Sequence, residues 1–401
     1  MKQFVLLFSI LFSITLIHAQ EWEQVAGLPD GAADARHHPV TFSVGNFGYL
    51  LTGAVNGTAA KDFMRYDATT DTWEDLPDFP GAARSFSYAT SRGTKAYIGF
   101  GGADGTPYND FWEYDTETEE WTRLSDCPCS PRYHPAFIQL DDRIYVGMGN
   151  NPSNLRDWWE YDIPTDTWTQ KDDLPGPTRH HPFYFGIGDI AYVGLGHGST
   201  GGSAANIYND FYMFDPSTDE WTRLDDFPGE ARVAGTQFDY NGKGYILSGD
   251  GDNHNHMEEG EFWEYDPSAD EWTQLTSHPG NSSRWAPGSF VIDNYAYLTC
   301  GLSIDRLESD MMRFELEPLS TSTTEFAATP IAVFPNPTTS MVFITKEITD
   351  FEEVRLVNSY GQLVQTVTSN QVDVKAYPAG VYYLQFFQDG DMRTEKISIV
   401  K

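Results

Sequence analysis

The sequence predicts an all-β protein, a six-bladed β-propeller followed by a small C-terminal β-sandwich, and three observations carry the prediction. Tryptophans recur at 22, 73, 121, 168, 221 and 272 and arginines at 36, 84, 132, 179, 232 and 284, with Arg spacings of 48, 48, 47, 53 and 52. Self-similarity at such a period marks a repeat architecture. Between these markers stand short runs rich in aromatic and β-branched residues, bounded by Gly, Asp, Asn or Pro, which is the strand-and-turn signal. From Ile331 a different set of short alternating strands begins, in the pattern of a small sandwich.

The elements follow in order. Residues 1–19 read as a secretory signal peptide: Lys2 supplies a positive start, Phe4 to Ile17 form an apolar run, and Ala19 stands where a peptidase would cut. That run is shorter than the roughly 20 apolar residues needed to cross a bilayer. No other segment is long and apolar enough to form a transmembrane helix. The propeller is placed at residues 20–317, and one unit shows its pattern. Arg179-His180-His181-Pro182 leads into Phe183 to Ile187, and Gly188-Asp189 turns into Ile190 to Gly194. A glycine-rich loop then precedes Asn209 to Asp215, and Pro216 to Asp219 turns into Glu220 to Leu224.

The link from the Asp ending strand three to the blade Trp keeps one length in five units: Asp67 to Trp73, Asp115 to Trp121, Asp162 to Trp168, Asp215 to Trp221 and Asp266 to Trp272. A fixed link fixes hairpin register, and the Asp can bond the turn backbone. A four-stranded unit cannot bury both faces alone, whereas six packed radially can, with Trp and Tyr filling the wedges between them. Trp22 precedes the first Arg, and no Trp-bearing strand follows Arg284. The chain therefore starts with a fourth strand and ends with a third, and the strand around Trp22 is expected to complete the last blade.

At these residues the chain resembles the kelch-repeat β-propellers, in particular bacterial exported kelch proteins and attractin- and muskelin-like propellers. The carriers are the blade-start Arg, the glycines after strand two (Gly101-Gly102, Gly147 and Gly149, Gly194 and Gly196), the phrase from Asn109 to Asp115, and the blade Trp. The resemblance covers about residues 21 to 317 and implies the fold. It implies no single function, because kelch propellers serve as enzymes, sugar binders and protein-binding platforms.

Residues 318–330, rich in Ser and Thr, read as a linker, and residues 331–401 as a second domain. That tail resembles the C-terminal sorting domain of the type IX (Por) secretion system of Bacteroidetes. The matching pieces are Phe334-Pro335-Asn336-Pro337, the Gly361 turn, Pro378-Ala379-Gly380-Val381-Tyr382-Tyr383 and Lys396-Ile397-Ser398-Ile399-Val400-Lys401. The resemblance implies engagement of the type IX machinery, removal of the tail, and release or attachment at the outer-membrane surface. An ordinary carbohydrate-binding or immunoglobulin-like sandwich is the other reading of the strand pattern.

Composition narrows the partners. The chain carries 59 Asp+Glu against 25 Lys+Arg, a formal net charge of -34, which argues against nucleic acid or an anionic membrane. An aromatic content of 15% separates it from disordered acidic chains, which lack apolar surface to bury. Three cysteines allow at most one internal disulfide. A bridge from Cys127 to Cys129 would close an unusually tight ring, and the spacing matches no zinc framework, so the cysteines are assigned no chemistry.

The connections from strand four to strand one, and from strand two to strand three, open on one face around the channel, where a protein or glycan is expected to bind. Its candidates are Arg36, Arg84, Arg132, Arg179, Arg232 and Arg284, with His38, His134, His181 and Trp285. Six guanidiniums around one opening would suit carboxylates. A residue present in every blade has a second reading, pairing with the acidic residue that opens strand three (Asp62, Asp110, Asp157, Asp210, Glu261, Asp310), and for the arginines as a class this reading is favoured. The histidines occur in three blades only and so carry more functional signal. As metal ligands they are disfavoured, because blades one and four stand on opposite sides of a six-fold ring. In the fifth blade the loop from Gly249 to Glu261 is crowded with oxygen donors. Asp250, Asp252 and Glu259 are its candidates for calcium, the one cofactor the sequence suggests, set against a solvated acidic loop. The EF-hand pattern is not met, since His254 takes the fifth position and Asn255 stands where Gly is required.

The sequence has no Gly-x-Ser-x-Gly elbow, His-Glu-x-x-His helix or phosphate loop, so a non-enzymatic exported binding module is the favoured reading. The alternative is a sugar-processing enzyme such as a sialic acid mutarotase. There Arg36, Arg132, Arg179 or Arg284 would hold the sugar carboxylate and His134 or His181 would move the proton. A galactose-oxidase-like copper enzyme is disfavoured, because no cysteine stands near the histidines.

Overall fold

The computed structural model describes residues 21–198, 207–251, 254–316, 333–351, 353–358, 363–388 and 391–401. The chain divides into two compact units, one ending at Leu316 and the other running from Glu317. The segments read from the sequence as signal peptide and linker, 1–19 and 318–330, lie outside the described residues.

The first unit contains six four-stranded antiparallel sheets. In blade three, Ala136–Leu140, Arg143–Gly147, Trp158–Asp162 and Thr167–Lys171 pair in that order. The first strands of the six blades are Val40–Val44, Tyr88–Arg92, Ala136–Leu140, Phe183–Ile187, Thr236–Tyr240 and Gly288–Ile292. Each packs on the first strand of the next blade, and the series returns from Gly288–Ile292 to Val40–Val44. The first strands therefore surround a common axis. Trp22–Val25 pairs antiparallel with Met311–Glu315, Trp22 opposite Phe314, so the sixth blade is completed by the start of the described chain and its third strand has no open edge.

Sequence pattern follows position in the blade. Second strands are covered on both faces by neighbouring blades and read as unbroken apolar runs: Ile144, Tyr145 and Val146 are fully buried. Fourth strands lie outermost and are largely exposed. The blade Trp bridges seams, because its indole N–H reaches a carbonyl of the preceding blade: Trp168 to Ser125, Trp221 to Asp172 and Trp22 to Thr276, at 2.8, 2.8 and 2.9 Å. The repeated Asp holds the outer turn as expected, Asp67 accepting from the Thr69 N–H, Asp115 from Glu117, Asp162 from Thr165, Asp215 from Ser217 and Asp266 from Ser268.

One expectation is corrected. Cys127 and Cys129 form a disulfide, with Cα atoms 5.1 Å apart. That separation lies inside the ordinary range for a bridge. Cys300 is free and buried.

The second unit is a sandwich. A three-stranded sheet (Val333–Phe334, Met341–Ile344, Gln371–Asp373) and a four-stranded sheet (Leu363–Thr366, Glu353–Asn358, Gly380–Gln388, Asp391–Ile399) enclose Val342, Leu356, Val372, Leu384 and Ile397. Alternate residues of each strand supply this core.

Candidate functional site

The blade-start arginines lie inside the blades. Arg132 donates from Nη1 and Nη2 to the two oxygens of Asp157, each at 2.7 Å, and its Nη1 and Nε also reach the carbonyls of Met148 and Ser130. The same two-bond pairing joins Arg36 to Asp62, Arg84 to Asp110, Arg179 to Asp210 and Arg284 to Asp310. Arg232 departs from the set, meeting Glu261 through Nη2 alone and leaving Nη1 buried without a partner. All six are buried, and each ties strand one of its blade to strand three. This is the pairing favoured for the arginines as a class: the planar fork that would suit an incoming carboxylate at the loop face is already satisfied by an internal one.

The residue two positions after each Arg comes to the axis. His38, Phe86, His134, His181, Ala234 and Ala286 all take the left-handed backbone conformation, with φ of 52, 63, 54, 50, 52 and 49°. For non-glycine residues that conformation costs about 1 kcal/mol each, and the surrounding packing holds it. Neighbouring backbones link around the axis, His38 N–H to Ala286, His134 to Phe86, His181 to His134 and Ala286 to Ala234. The three histidines consequently meet. His38 Nε2 and His181 Nε2 are 2.9 Å apart, the His134 and His181 ring centres 3.5 Å. This corrects the expectation that blades one and four keep these side chains apart: on a six-fold ring opposite blades are distant at the rim and adjacent at the axis.

The cluster extends beyond the expected residues. His37 Nδ1 lies 2.7 Å from His38 Nδ1, and Trp285 packs on both rings. His134 Nδ1 is 3.2 Å from Asn150 Oδ1, and His180 Nδ1 is 2.9 Å from Asn154 Oδ1. His197 touches His180 and His254, so seven histidines form a contiguous string from the axis toward the fifth blade. Burial pushes His38, His134 and His181 well below the ordinary 6.5, and neighbouring imidazoles add to it; burial likewise holds His37 and His180 at about 4. These rings are neutral at pH 7. Two ring nitrogens, His134 Nε2 and His181 Nδ1, have no partner. Sequence reasoning missed His37, His180, His197, His254 and the two Asn; the doubled His after Arg36 and Arg179 was the visible sign.

Below the histidines the axis opens. A cavity of about 480 Å³ is lined by first-strand residues of all six blades, among them Ser43, Ser91, Gln139, Tyr184, Gln237 and Asp239. Its lining also takes in Leu140 at the end of strand one and Asp141 and Gly188 of the strand one–two turns, which places it toward the end of the axis opposite the loop face. Ser43 and Ser91 donate across seams to the Val291 and Ser43 carbonyls. Asp239 is open to the cavity, yet the enclosing protein pushes its carboxyl up to about 6.

Of the calcium candidates, Asp250 and Glu259 are described, and each has its own partner. Asp250 is buried, its Oδ1 taken by His256 Nδ1 and Ser283 Oγ at 3.0 and 3.3 Å. Glu259 is exposed and accepts from Ser277, and Asp252 lies outside the described residues. Among the described residues the one group of three or more His, Cys, Asp or Glu side chains with converging donor atoms is His38, His134 and His181. No helix among the described residues is long and apolar enough to cross a membrane.

Comparison with known proteins agrees with this architecture. The model of the Attractin/LZTR1 beta-propeller family matches residues 46–312, more than half of the chain, and that of the secretion system C-terminal sorting domain matches residues 332–401. No curated protein matches the chain. The first match begins after strand one of blade one and leaves out the Trp22 strand and Arg36, which the structure shows to be integral to the ring. The sorting domain marks the protein for secretion by the type IX machinery and for the cell surface. The chain belongs to the Attractin/LZTR1 β-propeller family, joined here to a type IX sorting domain.

Proposed function

We propose that the exported propeller is a non-enzymatic recognition module that takes a neutral, hydroxyl-rich ligand, the end of a glycan chain, into its axial cavity. The observation that supports this is the cavity itself: its volume of about 480 Å³ suits a small ligand, and its lining combines hydroxyls, amides and the carboxylates of Asp141 and Asp239 with the Tyr184 ring. Such a lining offers both donors and acceptors to sugar hydroxyls, and the aromatic ring gives a face for the apolar side of a pyranose. The sequence placed binding at the loop face, but there the axis is stopped by the histidine rings. A mutarotase gripping a sugar carboxylate through Arg36, Arg132, Arg179 or Arg284 draws no support, since those guanidiniums are occupied.

A glycan array followed by titration calorimetry tests the reading. At least one glycan should bind, and Gln139→Ala and Asp239→Ala should each weaken it about tenfold, the worth of one or two hydrogen bonds. Failure of every glycan to bind, or binding indifferent to both substitutions, would discard it.

A further inference from the structure

The axial histidines occupy a different place from the cavity and have a different chemistry. One ring nitrogen from each of His38, His134 and His181 lies within 4.8 Å of the other two. At His134 the Asn150 carbonyl oxygen takes the Nδ1 proton and leaves the Nε2 lone pair bare in a buried setting with no partner. At His38 and His181 two Nε2 atoms face each other at 2.9 Å, a contact that needs a shared proton or a shared cation. Histidine metal ligands are held in this way, by a hydrogen bond from the other ring nitrogen to a fixed acceptor. His37 Nδ1 stands in the same relation to His38 Nδ1.

We propose that His38, His134 and His181 bind one transition-metal ion of the zinc class on the propeller axis. The donors are three imidazoles, and the groups packed around them, among them Asn150, His37, His180, Phe86, Tyr133 and Trp285, include no carboxylate among the described contacts. Such a set disfavours calcium and magnesium, which require oxygen, and suits zinc, copper or nickel. Zn–N bonds of 2.0–2.1 Å at the tetrahedral angle place two nitrogens ~3.3 Å apart, so the His38–His181 pair needs to open by only a few tenths of an ångström, while donor atoms up to 4.8 Å apart must close toward the same value by a side-chain adjustment of the His134 ring. A fourth position remains for water or an exogenous ligand. The ion would join blades one, three and four across the axis.

The test uses the full chain, stripped with a chelator and equilibrated with ZnCl2. One tightly held Zn2+ per chain is expected, with an upward shift in melting temperature that grows with free zinc. His38→Asn and His134→Asn should each weaken that binding about tenfold or more, while His256→Asn, outside the cluster, should leave it unchanged. Absence of a tight zinc in the wild type, or equal binding in all variants, would overturn the proposal. Should the axial variants fail to fold, X-ray absorption at the zinc edge of the wild-type complex decides: a shell of three imidazole nitrogens supports the site, and an oxygen-dominated shell rejects it.

Discussion

Arg232 reaches Glu261 with one guanidinium nitrogen, where the other five blade arginines reach an Asp with two. Glu261 Oε2 also accepts from the Trp263 indole, as Asp110 and Asp157 do from Trp112 and Trp159, but the longer side chain offers Arg232 that one oxygen alone, and Arg232 Nη1 is left buried and unpaired. Burial then pulls the Arg232 pKa down in spite of the Glu261 charge. Glu261→Asp should restore the two-bond pairing and stabilise the propeller by about 1 kcal/mol. Urea unfolding of the two proteins measures it; a loss of stability would show that blade five has adapted to the longer side chain.

The two-bond pair of blade three has the opposite expectation. Arg132→Met removes four hydrogen bonds and leaves Asp157 partly buried without its cation, at a cost of about 3 kcal/mol. Adding Asp157→Asn should recover part of that loss, because the uncompensated charge goes with it. Equal stability of the single and double variants would place the cost in packing instead.

The same pairs set the response to acid. Burial alone would raise the Asp110 and Asp157 carboxyls; the hydrogen bonds and charge of Arg84 and Arg132 outweigh it and hold both below the ordinary 3.8. A depressed folded value means that the contribution is complete above the unfolded pKa and fades as pH falls through the folded one. Stability should therefore hold down to about pH 4 and drop steeply below it. In Asp157→Asn the slope of unfolding free energy against pH over that acidic window should be shallower, as read from urea titrations at successive pH values.

Trp22 anchors the seam of the ring through its hydrogen bond to Thr276 and its packing on Phe262 and Phe314. Being half-exposed, it should cost less than a fully buried Trp, about 2 kcal/mol for Trp22→Ala. Loss of the seam also bares the edge of Met311–Glu315, so the variant should self-associate, which sedimentation velocity detects. A monomer of unchanged stability would contradict the part given to this strand.

Much of the propeller was legible because each blade repeats the same physical solution. Arg132 and Asp157, Asp162 with its turn, and Trp168 at the seam recur at fixed spacing since each does one local task in every copy. Closure by the Trp22 strand followed from counting strands alone. The histidine cluster was not legible for a geometric reason. Sequence gives the order of blades around the circle but not how far from the axis a side chain sits, and His38 and His181 are remote by the first measure and in contact by the second. The cavity was equally hidden, because Gln139, Gln237 and Asp239 lie on ordinary strand-one positions. Cys127 and Cys129 were misjudged because ring size was weighed without the Cα separation, which decides whether two cysteines can meet.

The pairing of Trp22–Val25 with Met311–Glu315 also imposes an order of events on synthesis. Trp22–Val25 is made before any other strand of the propeller and has its partner nearly 300 residues later, so five blades can assemble while it waits with its backbone groups unpaired by a strand. Contacts of such long sequence separation form slowly, and a partly built ring presents sticky edges in the meantime. For a protein destined to leave the cell, the time between emergence of the first strand and arrival of the last is the interval in which it is most vulnerable to proteolysis and mispairing.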